Sequence, residues 1–463
     1  MWKNMFGKLK NIHFIGIGGI GMSGIAELLK YWGFHITGSD TRYSDNIARL
    51  EKCGIRIYIG HHPKNLKTAD AVIYTSAVNN DNPELKKARA MGIPTIKRSV
   101  MLGEILRTRP NSIAICGTHG KTTTTSLTGH IFTCAGRDPL IISGGVIREL
   151  NSNLRIGKGD TIILEADEYD HSFLKLYPTH ILMTSIDKDH MELFETLTNI
   201  KEDFIKFANR IPFYGKVIAN RDDQNIPDIL SEIDAPVSTY SVKIADTIHA
   251  ENIHQNPTEN RFDVFLENTR LGTIRLPIPG VHNIQNSLAA ISISLEYGIE
   301  FGAIKEAIEN FTGVRRRFEI VAENDDIMLV DDYAHHPTEI KATLQAARKG
   351  WHRRIVAVFQ PHLYSRTKKF YREFADALEI ADIIVITDVY PAREKPLPGV
   401  SGQLIEGILR TKGRTNVHYV RNFKEVIPVV KSLYQPGDMI ITLGAGNINS
   451  ILSPLKKDLT DSE

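Results

Sequence analysis

The stretch SIAICGTHGKTTTT, residues 112–125, decides the fold class of this chain. Its apolar first five residues predict a buried strand, and Lys121 starts a predicted helix that lasts to about Ala135. Strand, glycine turn, Lys-Thr pair and helix in this order predict a cradle for a nucleoside triphosphate, with Lys121 as a point charge and Thr122 as a hydroxyl ligand for Mg²⁺. The loop is shorter than the usual phosphate loop, because Ile115 stands where that loop needs a glycine. The alternative is a helix N-terminus with an incidental lysine.

Length and composition indicate an ordinary globular protein. The chain has 463 residues, a formal net charge of +2 and 42% hydrophobic residues, which predicts two or three domains. The small net charge and the absence of a long basic block argue against a nucleic-acid partner. We find no signal-peptide pattern and no apolar run long enough for a membrane span, so we expect a cytoplasmic protein without a membrane partner. The three cysteines lack metal or redox spacing.

Strand and helix patterns alternate along most of the chain, which predicts an α/β fold with parallel sheets. The first α/β unit ends at a polar linker that contains Pro110, and the second carries the phosphate loop. Within the second unit, residues 236–279 alternate apolar and polar side chains between turn signals and predict an antiparallel insertion. We therefore predict three domains, at residues 1–108, 109–313 and 314–463.

A second glycine cluster, Gly16 to Gly21, opens a helix after the first predicted strand. It matches the dinucleotide-binding fingerprint, and Asp40 follows near the position of a ribose-binding acid. NAD is therefore one candidate ligand. The same geometry binds any diphosphate, because close glycine approach and a helix N-terminus do not recognise nicotinamide. A tight turn without a ligand is the third possibility.

Acidic residues follow the predicted strand at 161–164 in the segment EADEYD, residues 165–170. Open α/β sheets bind ligands at the carboxyl ends of their strands, and carboxylate oxygens suit Mg²⁺. A solvated acidic loop is the alternative. His190 follows the next predicted strand, and its position makes it a candidate functional residue, although a lone histidine is more often structural.

Further polar segments stand at predicted element ends in the second half of the chain. Asn283 enters a helix from a glycine turn, so it either caps that helix or pairs with adenine, and the cap is the commoner use. The arginines at 315–317 form either a solvated charge run or a source of positive charge for a phosphoryl group in transfer. The segment DDYAHHP, residues 331–337, is dense in titratable groups, and Arg366 has the planar fork that matches a carboxylate.

Taken together, these motifs resemble those of the Mur ligases, the ATP-dependent amide-forming enzymes of peptidoglycan precursor synthesis. The resemblance extends from Gly16 to about Gly446 and rests on HFIGIGGIGM (13–22), GTHGKTT (117–123), DYAHHPTE (332–339) and FQPH (359–362). It implies a Rossmann-like amino-terminal domain for a UDP-sugar, a central ATPase domain and a Rossmann-like carboxy-terminal domain that closes over both. The motifs are most similar to those of the family member that joins L-alanine to the carboxylate of UDP-N-acetylmuramate through an acyl phosphate.

The resemblance also implies roles for individual residues. For ATP it implies phosphate-loop contacts by Gly117, Thr118, Gly120, Lys121, Thr122 and Thr123. It also implies that Asn283 contacts the adenine, Arg317 the γ-phosphate and Asp332 the ribose. For two Mg²⁺ sites, in which Mn²⁺ can substitute, it implies Thr122, Glu165 and His190. For the UDP-sugar and the amino acid it implies Gly18, Gly19, Gly21, Ser39, Asp40, Ser76, Glu168, Tyr333, His335 and Arg366. The catalytic residues it implies are Lys121, His190, Arg317 and His335.

Some positions depart from the family pattern, and other functions remain open at this point. Ala334, Leu363 and Asn447 replace Gly, Arg and Asp, which affects the expected amino-acid contacts. Ile205 stands where several relatives carry a carbamylated lysine, so no such modification is expected. A monomer or weak homodimer is expected. The rival functions are a nicotinamide-dependent oxidoreductase, a ligase that recycles a whole tripeptide onto the same sugar, and a nucleotide-gated binding protein.

Overall fold

The computed structural model describes residues 6–188, 196–392 and 394–460, and these residues form two compact units. The first unit comprises residues up to 187 together with 196–249 and 286–307. The second comprises Lys188, residues 250–285 and the chain from 308 onward. Strands of the described residues build three sheets, of five, ten and six strands.

The first sheet is parallel throughout and has the order β3-β2-β1-β4-β5. Its strands are β1 (Asn11–Ile15), β2 (His35–Asp40), β3 (Arg56–Ile59), β4 (Ala71–Tyr74) and β5 (Thr95–Lys97). The accompanying helices are α1 (Ile20–Tyr31), α2 (Asp45–Lys52), α3 (Pro83–Ala90) and α4 (Arg98–Leu106). The strand order reverses direction on either side of β1, and open sheets of this type bind ligands beyond the carboxyl ends of the strands at that point. The glycine turn after β1 lies at this position.

The second sheet has the order β12-β11-β10-β6-β9-β7-β8 within the first unit, and only β7 and β8 pair antiparallel there. Its strands are β6 (Asn111–Cys116), β7 (Leu140–Ile147), β8 (Ser152–Arg155), β9 (Thr161–Glu165), β10 (His180–Met183), β11 (Lys216–Asn220) and β12 (Val237–Ser241), and the start of β13 (Ile248–Gln255) continues it. The helices are α5 (Lys121–Cys134), α6 (Leu197–Ala208), the later part of α7 (Val281–Glu296) and most of α8 (Phe301–Glu309). Strand β6 is central and fully apolar from Ile113 to Cys116, so both of its faces are buried.

The second unit contains an antiparallel pair and a mostly parallel sheet. The pair consists of β14 (Asn260–Leu266) and β15 (Thr269–Leu276). The sheet has the order β16-β17-β21-β18-β19-β20, with strands β16 (Glu319–Glu323), β17 (Ile327–Asp332), β18 (Ile355–Phe359), β19 (Ile383–Thr387), β20 (Val417–Val420) and β21 (Asp438–Leu443). Its helices are α9 (Pro337–Gly350), α10 (Tyr364–Leu378), α11 (Gln403–Thr411), α12 (Val426–Leu433) and α13 (Leu452–Thr460). The faces of this sheet are covered by two apolar clusters, one of which includes Phe359, Phe370 and Phe374.

The predicted α/β class with parallel sheets is confirmed, and most predicted strands agree with the structure to within two residues. The segment 236–279 differs in one respect from the predicted antiparallel insertion. Strand β12 pairs parallel with β11 and with β13, and antiparallel pairing is found between β14 and β15. Alternation of apolar and polar residues along a strand shows which face is buried, but it does not show the direction of the neighbouring strand. The sequence therefore could not distinguish the parallel pairs from the antiparallel pair. None of the helices in the described part of the chain has the length and apolar character that a membrane crossing requires.

Candidate active site

The phosphate loop connects the end of β6 with the start of α5. Gly117 and Gly120 both have left-handed backbone angles, with φ of 132° and 82°. A Cβ atom on Gly117 would lie 2.1 Å from Thr184 Oγ1, and one on Gly120 would lie 2.5 Å from Asn286 Oδ1. Only glycine therefore fits at these two positions. The turn leaves the N–H groups of the first turn of α5 without intrahelical acceptors, which is the arrangement that binds phosphate oxygens.

Neighbouring residues hold this loop in place from the strand β10 side. The backbone N–H of Thr118 donates to Ser185 O at 2.9 Å, and the N–H of His119 donates to Ser185 Oγ at 2.9 Å. The N–H of Asp187 donates to Thr118 Oγ1 at 2.8 Å, so the loop is bonded in both directions. Because these bonds are all made within the protein, they position the loop without the help of a ligand.

Lys121 pairs with Glu168 inside the first unit. Its Nζ lies 2.8 Å from Glu168 Oε2 and 3.3 Å from the carbonyl oxygen of Thr118, and both ionic side chains are almost fully buried. Burial alone would lower the pKa of Lys121. The charges of nearby carboxylates, with Glu168 contributing most, outweigh burial and raise this pKa above its ordinary value. Lys121 is therefore a permanent cation at the loop.

Glu165 and Thr122 lie together at the carboxyl end of β9 and the start of α5. The Thr122 hydroxyl hydrogen-bonds the Glu165 carboxylate, and the backbone N–H of Gly144 donates to Glu165 Oε2 at 2.8 Å. Burial is the main cause that raises the pKa of Glu165, and the charge of Lys121 offsets this effect only in part. A hydroxyl and a carboxylate oxygen in contact fit Mg²⁺, which prefers oxygen ligands. The residues present thus fit the first expected metal site, whereas His190 of the second site lies outside the described residues.

The expected UDP-sugar residues lie at the carboxyl edge of the first sheet. Asp40 accepts the backbone N–H of Gly18 at 2.8 Å and that of Thr41 at 2.7 Å, so its carboxylate fixes the glycine turn. Gly19 is the N-cap of α1, and Gly21 lies in the first turn of that helix. Ser76 follows β4 and is exposed. The structure therefore brings these residues to one sheet edge.

Ser39 belongs to a buried network at the same edge. Its hydroxyl donates to Glu84 Oε2 at 2.5 Å and lies 2.9 Å from His61 Nδ1. Glu84 is fully buried and also accepts bonds from Asn65 Nδ2 and the backbone N–H of His62. Burial raises the pKa of Glu84. Its hydrogen bonds, of which that with His13 has the largest effect, together outweigh burial and lower the pKa to about 2. The network holds an ionised carboxylate beneath the edge residues.

In the second unit, four of the expected residues lie around the end of β17. Asp332 accepts the backbone N–H groups of Ala334 at 2.7 Å and Phe318 at 2.8 Å, and burial raises the pKa of Asp332 to about 6. The guanidinium of Arg317 lies 5.4 Å from the ring centre of Tyr333. His335 Nδ1 is 3.0 Å from the Tyr333 carbonyl oxygen, which places the proton on Nδ1 in the neutral ring.

Arg366 and Asn283 are the remaining expected residues, and both belong to the second unit. Arg366 is buried in α10, and its charge lowers the pKa of Tyr333, which burial raises overall. Asn283 donates from Nδ2 to the carbonyl oxygen of Pro279 at 2.6 Å. This bond ties the start of α7 to the preceding turn through the side-chain N–H, whereas a helix cap uses the side-chain oxygen as an acceptor.

Comparison with known proteins yields matches along almost the whole chain. The Mur ligase family catalytic domain matches residues 11–110, the Mur ligase middle domain matches 115–294, and the Mur ligase glutamate ligase domain matches 316–446. The chain belongs to the Mur ligase family.

Individual Mur ligases resemble the chain to different degrees. A UDP-N-acetylmuramate–L-alanine ligase of Sulfurihydrogenibium sp. is 46% identical over 99% of each chain. The crystal structure of a UDP-N-acetylmuramate-alanine ligase from Thermotoga maritima is 30% identical with a TM-score of 0.85, covering 98% of this chain and 100% of the other. A murein peptide ligase from Psychrobacter arcticus is 24% identical with a TM-score of 0.74, covering 98% and 99%, and this likeness shows the fold alone.

The predicted three-domain Mur ligase fold class is thereby confirmed. Sequence reasoning missed three features of this Mur ligase site. The pairing of Glu168 with Lys121 was not predicted, because Glu168 was assigned to the substrate. Glu84 was overlooked, since a single glutamate on a helix gives no pattern from which burial can be inferred. The arginines at 315–317 are interpreted from sequence as a charge run or as a source of charge for a phosphoryl group, but the guanidinium of Arg316 donates to Asp331 and to the carbonyl oxygens of Gly444 and Gly446.

The three departures from the Mur ligase pattern occupy defined places. Ala334 is buried, and its N–H bonds Asp332. Leu363 is buried as the N-cap of α10 with φ of 70°. Asn447 accepts a hydrogen bond from Gln360 Nε2 at 2.9 Å, as an aspartate oxygen would, so this replacement keeps the acceptor.

Proposed function

We propose that this Mur ligase joins L-alanine to the carboxylate of UDP-N-acetylmuramate and consumes ATP, which gives UDP-N-acetylmuramoyl-L-alanine, ADP and phosphate. The observation that carries this conclusion is the 46% identity, over 99% of each chain, to a ligase named for these two substrates. The geometry supports this function, because transfer of a phosphoryl group requires a positioned phosphate loop with a cationic lysine.

The first chemical step activates the sugar's carboxylate. A carboxylate is a poor acyl donor, since oxide would have to leave. Attack of a carboxylate oxygen on the γ-phosphorus of ATP breaks the bond to ADP and gives an acyl phosphate. In the proposal, Lys121 and Arg317 offset the charge of the phosphoryl oxygens, and the N–H groups at the start of α5 hold the phosphates.

Mg²⁺ would be held by Thr122 and Glu165 in the first site and by His190 in the second, and Mn²⁺ is proposed to substitute. When bound, the ion neutralises phosphate charge. For this chain's own residues the consequence is that Glu165, whose pKa burial raises, becomes a stable carboxylate ligand.

The second step forms the amide. The neutral amine of L-alanine attacks the acyl carbon, and phosphate leaves the tetrahedral intermediate. We assign His335 to accept a proton from the amine, because its Nδ1 bond to the Tyr333 carbonyl directs the basic lone pair to Nε2. Arg366 is assigned to the alanine carboxylate and Tyr333 to the same neighbourhood, while Asn283 and Asp332 are assigned to the adenine and the ribose.

The proposal includes an organisation for the whole chain. Residues 1–108 would hold the UDP-sugar, residues 109–313 ATP, and residues 314–463 parts of the ATP and the amino acid. We further propose a cytoplasmic enzyme that is a monomer or weak homodimer and has no nucleic-acid or membrane partner.

One assay tests the function directly. The protein is incubated with ATP, Mg²⁺, UDP-N-acetylmuramate and each amino acid separately, and the products are weighed by mass spectrometry. We expect a product enlarged by one alanine residue, together with one phosphate released per product. UDP-N-acetylglucosamine, which lacks the carboxylate, is the matched control and should give no product. A further incubation contains L-alanyl-γ-D-glutamyl-meso-diaminopimelate in place of the amino acid. Product only with this tripeptide, or none with any amine, would overturn the proposal.

A further inference from the structure

The guanidinium of Arg98 lies against the glycine turn of the first sheet. Arg98 is the first residue of α4 and follows directly on β5, so it stands at the carboxyl edge of the sheet. A Cβ atom on Gly21 would lie 3.0 Å from Arg98 Nη1 and 3.6 Å from Arg98 Cζ. The missing side chain of Gly21 therefore makes room for this cation at the first turn of α1.

Arg98 has few partners for its five N–H donors. The nearest carboxylate oxygen is Asp167 Oδ2, at 3.9 Å from Nη2, which is beyond hydrogen-bond distance. Within the described parts of the chain, no group accepts a hydrogen bond from this guanidinium, although three quarters of the side chain is buried. A largely desolvated guanidinium without acceptors is unfavourable, so an anion at this position would be bound strongly.

The neighbours of Arg98 fix its position relative to the acidic segment after β9. Lys97 Nζ pairs with Asp170 Oδ2 at 3.0 Å. A Cβ atom on Gly103 would lie 2.5 Å from the carbonyl oxygen of Lys175, so the middle of α4 touches the backbone that follows this segment. Arg98 is thus placed between the glycine turn and the segment that carries Glu165 and Glu168.

We propose that Arg98 is a substrate-binding residue whose guanidinium pairs with an anionic group of the UDP-sugar. The inference rests on the proposed function and adds a contact that the sequence motifs did not include. Its chemical basis is that the planar fork matches oxyanions and that the N-terminus of α1 attracts negative charge to the same place. Two groups of the substrate have this chemistry, namely the diphosphate and the carboxylate of the muramyl sugar.

Calorimetric titration of Arg98→Gln with two ligands tests the inference. UDP-N-acetylmuramate carries both anionic groups, and UDP-N-acetylglucosamine carries only the diphosphate. We expect Arg98→Gln to bind UDP-N-acetylmuramate about 10- to 100-fold more weakly, the range of charge-assisted hydrogen bonds. An equal loss for both ligands assigns Arg98 to the diphosphate, and a loss for UDP-N-acetylmuramate alone assigns it to the carboxylate. Arg107→Gln, which removes an exposed arginine at the end of the same helix, is the control and should bind as the unaltered protein does.

Unchanged affinity of Arg98→Gln for both ligands would overturn the inference while leaving the proposed function intact. If the unaltered protein binds neither ligand, the proposed function itself fails. Should Arg98→Gln not fold, Arg98→Lys takes its place, because it keeps the charge and loses the fork. We expect a smaller but measurable loss of affinity for that variant, and unaltered binding by it would equally refute the assignment.

Discussion

At the scale of single residues, the site depends on charges that burial makes costly. Lys121 and Glu168 neutralise each other in a nearly water-free setting, and Glu84 is kept ionised by its hydrogen bonds. A buried pair of this kind adds little to stability by itself, but removing one partner leaves an unpaired charge. The pair holds the ammonium group of Lys121 beside the phosphate loop, where the proposed mechanism needs it.

We predict that Lys121→Ala loses about 10³-fold or more in kcat, because it removes a preorganised charge from the transition state. The measurement is steady-state phosphate release with all three substrates. Lys201→Ala is the matched control and should retain full activity, because Lys201 lies on α6 and pairs with Asp228. A rate within tenfold of the unaltered protein would contradict the role of Lys121.

We predict a pH-dependent stability contribution from Glu84. Its pKa in the folded protein is about 2, below the ordinary value of 4.5, so its ionised form is favoured by folding. This stability is fully present above pH 4.5 and is lost as the pH falls toward 2. Glu84→Gln should therefore lower the free energy of unfolding at pH 7 by about 1–3 kcal/mol, and the deficit should shrink below pH 4.5.

Urea unfolding at pH 7, 4.5 and 3 measures this effect. Glu104→Gln is the control, because the side chain of Glu104 is only half-buried and its partner, Arg107, is 3.8 Å away. That variant should follow the unaltered protein at every pH. A deficit of Glu84→Gln that stays constant down to pH 3 would show that packing, and not the charge, is what the substitution removes.

At the scale of elements, one connection between a strand and a helix builds the nucleotide site. β6 ends at Cys116, Gly117 follows it with φ of 132°, and α5 starts directly after a second glycine, Gly120. The neighbouring strand ends provide the rest, because β9 leads into the acidic segment and β10 leads into the residues that hold the loop. Parallel strands bring all of these ends to one edge of the sheet.

We predict that Gly117→Ala weakens ATP binding by at least about tenfold, since strain of a few kcal/mol at this angle must be relieved by moving the loop. The added Cβ would also meet Thr184 Oγ1 at 2.1 Å. Gly136→Ala is the matched control, because Gly136 has φ of 74° at the end of the same helix and open space around it. Titration calorimetry with ATP compares the two variants. Equal effects would mean that backbone strain alone, without the close approach, accounts for the loss.

At the scale of the whole molecule, the described residues form two compact units, and each contains buried apolar clusters of its own. The second unit packs Phe359 and Phe374 within one cluster on its sheet. Proteins with more than one core commonly unfold in more than one step.

We therefore predict that the calorimetric enthalpy of thermal unfolding exceeds the van't Hoff enthalpy. Differential scanning calorimetry provides both quantities from one experiment. ATP should raise the transition of the first unit, because the phosphate loop belongs to that unit and a ligand stabilises the state it binds. An enthalpy ratio of one, with a single transition that ATP shifts as a whole, would show that the two units unfold together.

The class of fold and the chemistry of the phosphate loop follow from local patterns in the amino-acid sequence. The apolar run 113–116 is followed by glycines and Lys121, and this order favours a strand, a tight turn and a helix. It can be recognised because sterics and burial here act between neighbouring residues. The motif at 332–339 was recognisable for the same reason, since its residues are consecutive.

Which distant side chains meet depends on the packing of the folded chain. The pairs Lys121–Glu168 and Ser39–Glu84 join residues 47 and 45 positions apart, and the place of Arg98 beside Gly21 depends on the packing of two helices at one sheet edge. Strand direction after β12 was likewise settled by pairing and not by pattern. The physical reason is that such contacts result from the closing of long loops around a shared core, and no local pattern of residues records which loops close together.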